Sequence, residues 1–465
     1  MAKEKREVNM TEGPFLKKIL VFVIPLILTG FLQCLYNAAD LMVVGRFRGE
    51  IALAAVGTTG SLTNLIVGLF MGLSVGAGVV VAQYLGALNH KAVERVVHSA
   101  ISIAAILGVV VGALGFWLAP TLLRMMDTPD TVLNYAVLYI RIVFLGMPAQ
   151  MMYNYCASML RSTGDTFRPL LFLSISGLVN VVLNLLLVVV FGMGVEGVAI
   201  STAVANYLSA IMILVYMHRI DGCMHVSFRR LGLDGHIIRK ILYIGIPSGL
   251  QSVLFSLSNV MIQASINGFG DVVMAGNTAA ANLEGFIYII MNAVSQAAVT
   301  FVGQNVGAKK YTNIKRVTWY NLGCVTALGL STSGVVVLFR YFFVGLYASG
   351  NPEVIEVAVG RVLAVLTFYF LCGIMEVLGG ALRGMGKSIT TMVISLLGAC
   401  AFRILWVKLL LPIFPVVECV YLSYPLSWLL VVICNAIFLV IEYKKLNRPE
   451  NSVPSREKMK EIQVS

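Results

Sequence analysis

The chain has 465 residues, of which 58% are hydrophobic and only 12% charged, with a formal net charge of +12. A soluble protein of this size carries about twice that share of charge on its surface, so a water-soluble globular fold is excluded. The excess of Lys and Arg lies in short segments between apolar runs, which is topological charge rather than a nucleic-acid surface, and no nucleic-acid partner is expected.

Residues 14–47 hold the first span. Lys17 and Lys18 precede more than twenty mostly apolar residues, enough to cross a hydrocarbon core of about 30 Å. The run is too long for a signal-peptide core and no small-residue cleavage site follows it, so the span is expected to be retained. Pro25 interrupts its interior and Asp40 lies near its far end. A proline inside a membrane helix frees a carbonyl that neighbours must satisfy, and an acid at membrane depth is a functional-site hypothesis by default. Gln33, Tyr36 and Asn37 lie seven, four and three residues before Asp40, on its helical face. Asp40 reads either as a protonatable site or as an interfacial acid answering Arg46 or Arg48 in the loop that follows.

Further apolar spans fall near 52–84, 96–119, 132–158, 168–191 and 196–217, then a polar connector at 218–238. Six more follow near 239–267, 273–304, 316–346, 357–382, 389–411 and 416–441, and the polar tail from Lys444 reads as disordered. The expected architecture is therefore an all-α membrane protein with twelve transmembrane helices, embedded in the lipid bilayer. Basic residues concentrate on alternate loops and acids (Asp127, Asp130, Glu196, Asp271, Glu353, Glu356, Glu418) on the others. By the positive-inside rule both termini face the cytoplasm of a multi-pass cell-membrane protein. The five histidines lie in or beside the basic segments and the eight cysteines are scattered singly, so neither a metal site nor a disulfide framework is read.

The chain is duplicated. LKKILVFVIP (16–25) matches IRKILYIGIP (238–247) and LRSTGD (160–165) matches LRGMGK (382–387), each at an offset of 222. VAQYLGA (81–87) matches VGQNVGA (302–308) at 221. Each half holds an even number of spans, so the halves are parallel repeats: an N-lobe (1–217) and a C-lobe (239–443) around a central cleft, rocking to give alternating access. Neither a catalytic cluster nor a cofactor motif occurs, so no enzyme is expected and no cofactor. The small-residue runs GLSVGAG (72–78) and GGALRGMG (379–386) read as helix-packing faces.

Other polar groups at depth are Asn180 and Asn184, four apart on span 5, Thr202 on span 6, and Tyr139 and Asn154 on span 4. Glu284 on span 8 and Glu376 on span 10 are acids without an obvious base in sequence; they read as coupling sites, as sites for cationic substrates, or as acids answered by a base such as Arg361 or Arg403.

The carriers IPLILTGFLQCLYNAADLMVVGRF, LAAVG (53–57), VAQYLGA, LRSTGDT, LRGMGKS and FGMGVEGVAIST (191–202) resemble the multidrug and toxic compound extrusion (MATE) family over residues 14–441. The resemblance implies cation-coupled efflux of small, mostly cationic amphiphilic organic compounds, driven by H+ or Na+. Two lobes can form the whole pathway within one chain, so a monomer is expected. Its DinF-like branch implies an N-lobe coupling site, here Asp40, Asn154, Asn180, Asn184 and Thr202 with Tyr36 and Tyr139 nearby, and a bending span 1 at Pro25, matched by Pro247. Asn184 stands where that branch often has a second aspartate, and span 7 lacks the glutamate of the NorM branch. Gln33, Tyr36, Asn37, Tyr139, Glu284 and Glu376 are the expected cleft residues. The alternative is a lipid-linked precursor flippase of the same superfamily, which would need a larger and more cationic cleft; the spans show few arginines.

Overall fold

A computed structural model describes residues 10–126, 128–348 and 351–447. Asp127 and the tail beyond residue 447 lie outside the described residues. All the long elements are helices. They are α1 (Phe15–Gly49), α2 (Ile51–Gly86), α3 (His90–Met125), α4 (Asp130–Ser162), α5 (Phe167–Val190) and α6 (Val195–Arg219). The second half supplies α7 (Gly235–Asn267), α8 (Asp271–Gly307), α9 (Tyr311–Leu338), α10 (Pro352–Leu366 and Tyr369–Gly384, bent by 44°), α11 (Ser388–Leu410) and α12 (Val417–Leu446). Eleven are individually long and apolar enough to span a bilayer, and the bent pair makes twelve. Asn89, Asp234 and Asn351 cap α3, α7 and α10 through side-chain acceptors, the usual answer to the orphan amides of a helix start.

Two expected boundaries differ. Arg46 and Arg48 do not sit in a loop: α1 and α2 run on from one another, broken at Gly49, whose φ of 79° and ψ of −175° only glycine adopts freely. Lys444 and Lys445 belong to α12 rather than to a disordered tail. The connector is polar as expected, yet it folds back onto α3. Val226 is fully buried, Ser227 N donates to His98 Nε2 at 3.1 Å, and Arg230 pairs with Glu94 at 2.6 Å. His98 donates through Nδ1 to Glu94 O at 2.7 Å, which fixes its neutral tautomer as a structural hinge-pin. His98→Ala should cost about 1–2 kcal/mol and make the connector a protease-sensitive site; limited proteolysis of the two proteins checks this, and equal cleavage rates would contradict it.

The core forms two clusters, one from residues 43–244 and one from residues 10–26 with 262–431. The first turns of α1 thus pack with the second half of the chain, and Ile237, Ile241 and Ile244 of α7 pack with the first. The GLSVGAG run is a packing face, as read: a Cβ on Gly72 would lie 2.3 Å from the backbone of Gly249 on α7. With no net hydrophobic drive between helices in lipid, such close backbone approach is what holds them together.

The two duplicated motifs meet at one end of the molecule. Gln83 Nε2 donates to Gly384 O at 3.0 Å, and its repeat partner Gln304 Nε2 donates to Ser162 O at 2.7 Å. Each glutamine thereby caps the closing carbonyl of the opposite half's fourth helix. Gly86 and Gly307 complete the seal, pressed against the carbonyls of Gln304 and Gln83. Met10, fully buried, covers this end from below through its amide on Gln304 Oε1 at 3.3 Å.

Candidate functional site

Asp40 is 8% exposed, held between α1, α5 and α6. Thr202 Oγ1 donates to its Oδ2 at 3.2 Å, and Asn184 Nδ2 donates to Oδ1. Asn180, with its amide oriented to satisfy both ends, donates to Oδ1 at 3.0 Å and accepts from the Thr202 amide at 3.3 Å. Ser201, which sequence reading passed over although it adjoins Thr202, donates to Asn184 Oδ1 and so aims that amide at Asp40. A π-helical turn, Leu185–Val190, begins directly after Asn184, a distortion common where a helix carries a functional side chain. Tyr139 is buried within electrostatic range of the carboxylate. Among the described residues no base forms an ion pair with Asp40; Arg48 instead donates to Val188 O, so the interfacial reading fails. Among the described residues the acid is compensated by neutral donors alone.

Asn154 departs from the expected set. It is not among the hydrogen-bond partners of Asp40 and lines the central cavity instead. Tyr36, Asn37, Gln33 and Tyr139, expected as cleft residues, do not line that cavity. Tyr36 donates to Ser174 O at 3.2 Å and covers Gly177 with its ring, binding α1 to α5, while Gln33 and Asn37 are exposed. Pro25 lies within unbroken α1, where Thr29 Oγ1 takes up its carbonyl at 2.8 Å, and Pro247 is buried within α7.

The central cavity, about 610 Å³, is walled by α2, α4, α7, α8, α10, α11 and α12. Glu284 and Glu376 both reach it, and neither is unanswered. Arg361 grips Glu284 with two parallel bonds of 2.7 and 2.9 Å, and its third nitrogen reaches Asn277. Glu376 is met by Arg383, seven residues on, at 3.4 Å, and by the Tyr288 hydroxyl at 3.4 Å. Of the two bases named as examples from sequence, Arg361 answers Glu284, whereas Glu376 takes Arg383, two helical turns along α10, and not Arg403. The cavity wall also contradicts the expectation of few arginines, since Arg161, Arg361, Arg383 and Arg403 all line it. Glu284→Gln leaves the Arg361 charge buried without its countercharge and should cost about 3–5 kcal/mol. A lowered thermal midpoint in detergent is the check, and an unchanged midpoint would contradict it.

The MatE family model matches the chain twice, over residues 25–186 and 247–407. The chain belongs to the MATE family. Each match covers one copy of the internal repeat. Relatives of this MATE chain include the probable multidrug resistance protein YpnP of Bacillus subtilis (strain 168), 26% identical over 85% of this chain and 88% of that protein. The probable multidrug resistance protein YoeA of the same organism is 25% identical over 82% and 83%. Among solved structures, a MOP superfamily transporter from Pyrococcus furiosus, described by the reverse polarity of its binding pocket, superposes with a TM-score of 0.90. That match is 20% identical and covers 96% of this chain and all of the other, so it speaks for the fold. As a MATE protein the chain is a multi-pass membrane transporter and not an enzyme.

Proposed function

We propose that this MATE protein is a secondary active multidrug efflux antiporter of the cell membrane, with Asp40 as its coupling group. The observation that carries the reading is a buried carboxylate on a proline-bearing helix, compensated among the described residues only by Thr202, Asn180 and Asn184. Such a group changes charge without breaking an ion pair, so a single proton switches the attraction between α1 and the α5–α6 pair. Coupling then requires only that the proton or the exported compound bind the two conformations of the carrier unequally. The surroundings favour H+ over Na+. A hard cation needs several oxygen ligands, but the two asparagines present N–H groups to Asp40, and their oxygens are taken by Ser201 and the Thr202 amide. The same arrangement favours the DinF-like branch, because the coupling acid stands in the first half. Pro25 and Pro247 serve as hinges, both termini face the cytoplasm, and the monomer suffices because the cavity lies within one chain.

The test is export of a panel of amphiphilic dyes of both charges from proteoliposomes under an imposed pH gradient, then under a sodium gradient. Export driven by the pH gradient alone supports proton coupling. Export driven by sodium alone would sink the proton reading, and no gradient-driven export of any dye would sink the antiporter reading.

A further inference from the structure

The central cavity holds more positive charge than its own acids neutralise. Four guanidiniums and two carboxylates reach its wall, a formal excess of two positive charges, four minus two. Arg361 takes Glu284 and Arg383 takes Glu376. Arg403 and Arg161 have no acid within ion-pair distance among the described residues.

Arg403 is 3% exposed. Its Nε donates to Ser427 Oγ at 2.7 Å, and its two terminal nitrogens have no hydrogen-bond partner among the described residues. The guanidinium lies over the rings of Tyr424, at 4.4 Å, and Trp428, at 5.8 Å. Arg161 donates Nη1 to Gln296 Oε1 at 2.9 Å, while its buried Nε has no partner. Aromatic faces soften the burial of a guanidinium but do not neutralise it. An uncompensated buried charge is expensive, and chains retain one where it meets a ligand. The planar fork of arginine suits the two oxygens of a carboxylate or phosphate, and stacked aromatics suit an apolar ring system.

We propose that the central cavity binds an organic anion, its carboxylate or phosphate taken by Arg403 with Arg161 as a second positive wall, its apolar body against Tyr424 and Trp428. The proposal rests on the reading of the chain as an efflux carrier and gives its substrate the charge opposite to the cationic compounds that the sequence resemblance implied. Asp40 lies outside this cavity, so the coupling cation and the exported anion occupy separate sites.

The experiment is equilibrium binding to the full chain in nanodiscs of phosphatidylcholine, without any gradient, read by fluorescence polarisation. The probes are carboxyfluorescein and a cationic rhodamine ester, which share a ring system and differ in charge. Wild type should bind the anionic dye about tenfold more tightly. Arg403→Gln should weaken that binding about tenfold, the loss of a charge-assisted contact, and leave the cationic dye unmoved. Arg161→Gln, less buried and with less risk to folding, should weaken it in the same sense. Tighter binding of the cationic dye, or full anion affinity in both monodisperse variants, overturns the proposal. Repeating the binding in nanodiscs containing phosphatidylglycerol separates two sources of the same chemistry. Displacement of the dye that depends on Arg403 supports a lipid phosphate as the natural anion, and undiminished binding supports a soluble organic acid. Because no gradient is present, failed coupling with intact binding would sink the antiporter reading and leave the anion site standing.

Discussion

Asp40→Asn is expected to fold, to insert and to lose gradient-driven export completely. The change is isosteric, and the new amide oxygen still accepts from Asn184 and Asn180 while the Thr202 hydroxyl turns to accept, so the cost to stability stays within about 1–2 kcal/mol. What it loses is the charge change. Without it, α1 is held by the same bonds whether the outside is acid or neutral, and the gradient has nothing to act on. Exchange of labelled for unlabelled substrate without a gradient should persist, which separates lost coupling from a lost binding site. Moving the acid one hydrogen bond away, in the double change Asp40→Asn with Asn184→Asp, should restore part of the pH-driven flux. Full gradient-driven export by Asp40→Asn would end the account.

Gly86→Ala and Gly307→Ala are expected to spring open the end of the molecule where the duplicated motifs meet. A Cβ on Gly86 would lie 1.9 Å from Gln304 O, and one on Gly307 would lie 1.8 Å from Gln83 O. Both obstacles are backbone, so neither can swing aside as a flexible side-chain tip would. Overpacking of this kind costs about 1–3 kcal/mol. It falls only on the conformation in which the lobes touch here, so the balance should move away from that state by roughly five- to 150-fold. Spin labels at Leu88 and Lys309, the exposed residues just beyond the seal, report the separation directly. Either substitution should lengthen and broaden the distance distribution and slow export, and the pair should do so more strongly. Wild-type distances in the double variant would show that the two glycines are not a gate.

The sequence made the helices legible because lipid leaves a chain few choices: every apolar run of bilayer length had to satisfy its own backbone. The repeat is visible in three short matches, and Asp40 stands out as an acid at depth. Asn180, Asn184 and Thr202 were found through their four-residue spacing and the family likeness, and they do converge on Asp40. Asn154 was misplaced because its position along α4 fixes its depth but not which way the helix turns its face. Ser201 was missed for a related reason: a serine among small apolar residues gives no signal until the amide it orients is known. The arginine pairs could not be read, since Arg361 and Glu284 are 77 positions apart and only the packing of α8 against α10 brings them together. The same holds for the charge of the cavity. Four arginines spread over α4, α10 and α11 look like isolated residues in sequence and become one positive wall only when three helices face the same space.

The central claim is that a coupling proton binds at Asp40. Infrared difference spectroscopy of the purified protein, taken as the pH is lowered, observes the carbonyl stretch of each carboxyl group that becomes protonated. A band from a carboxyl shielded from water should grow on acidification in wild type and be missing in Asp40→Asn. An identical set of bands in the two proteins would contradict it.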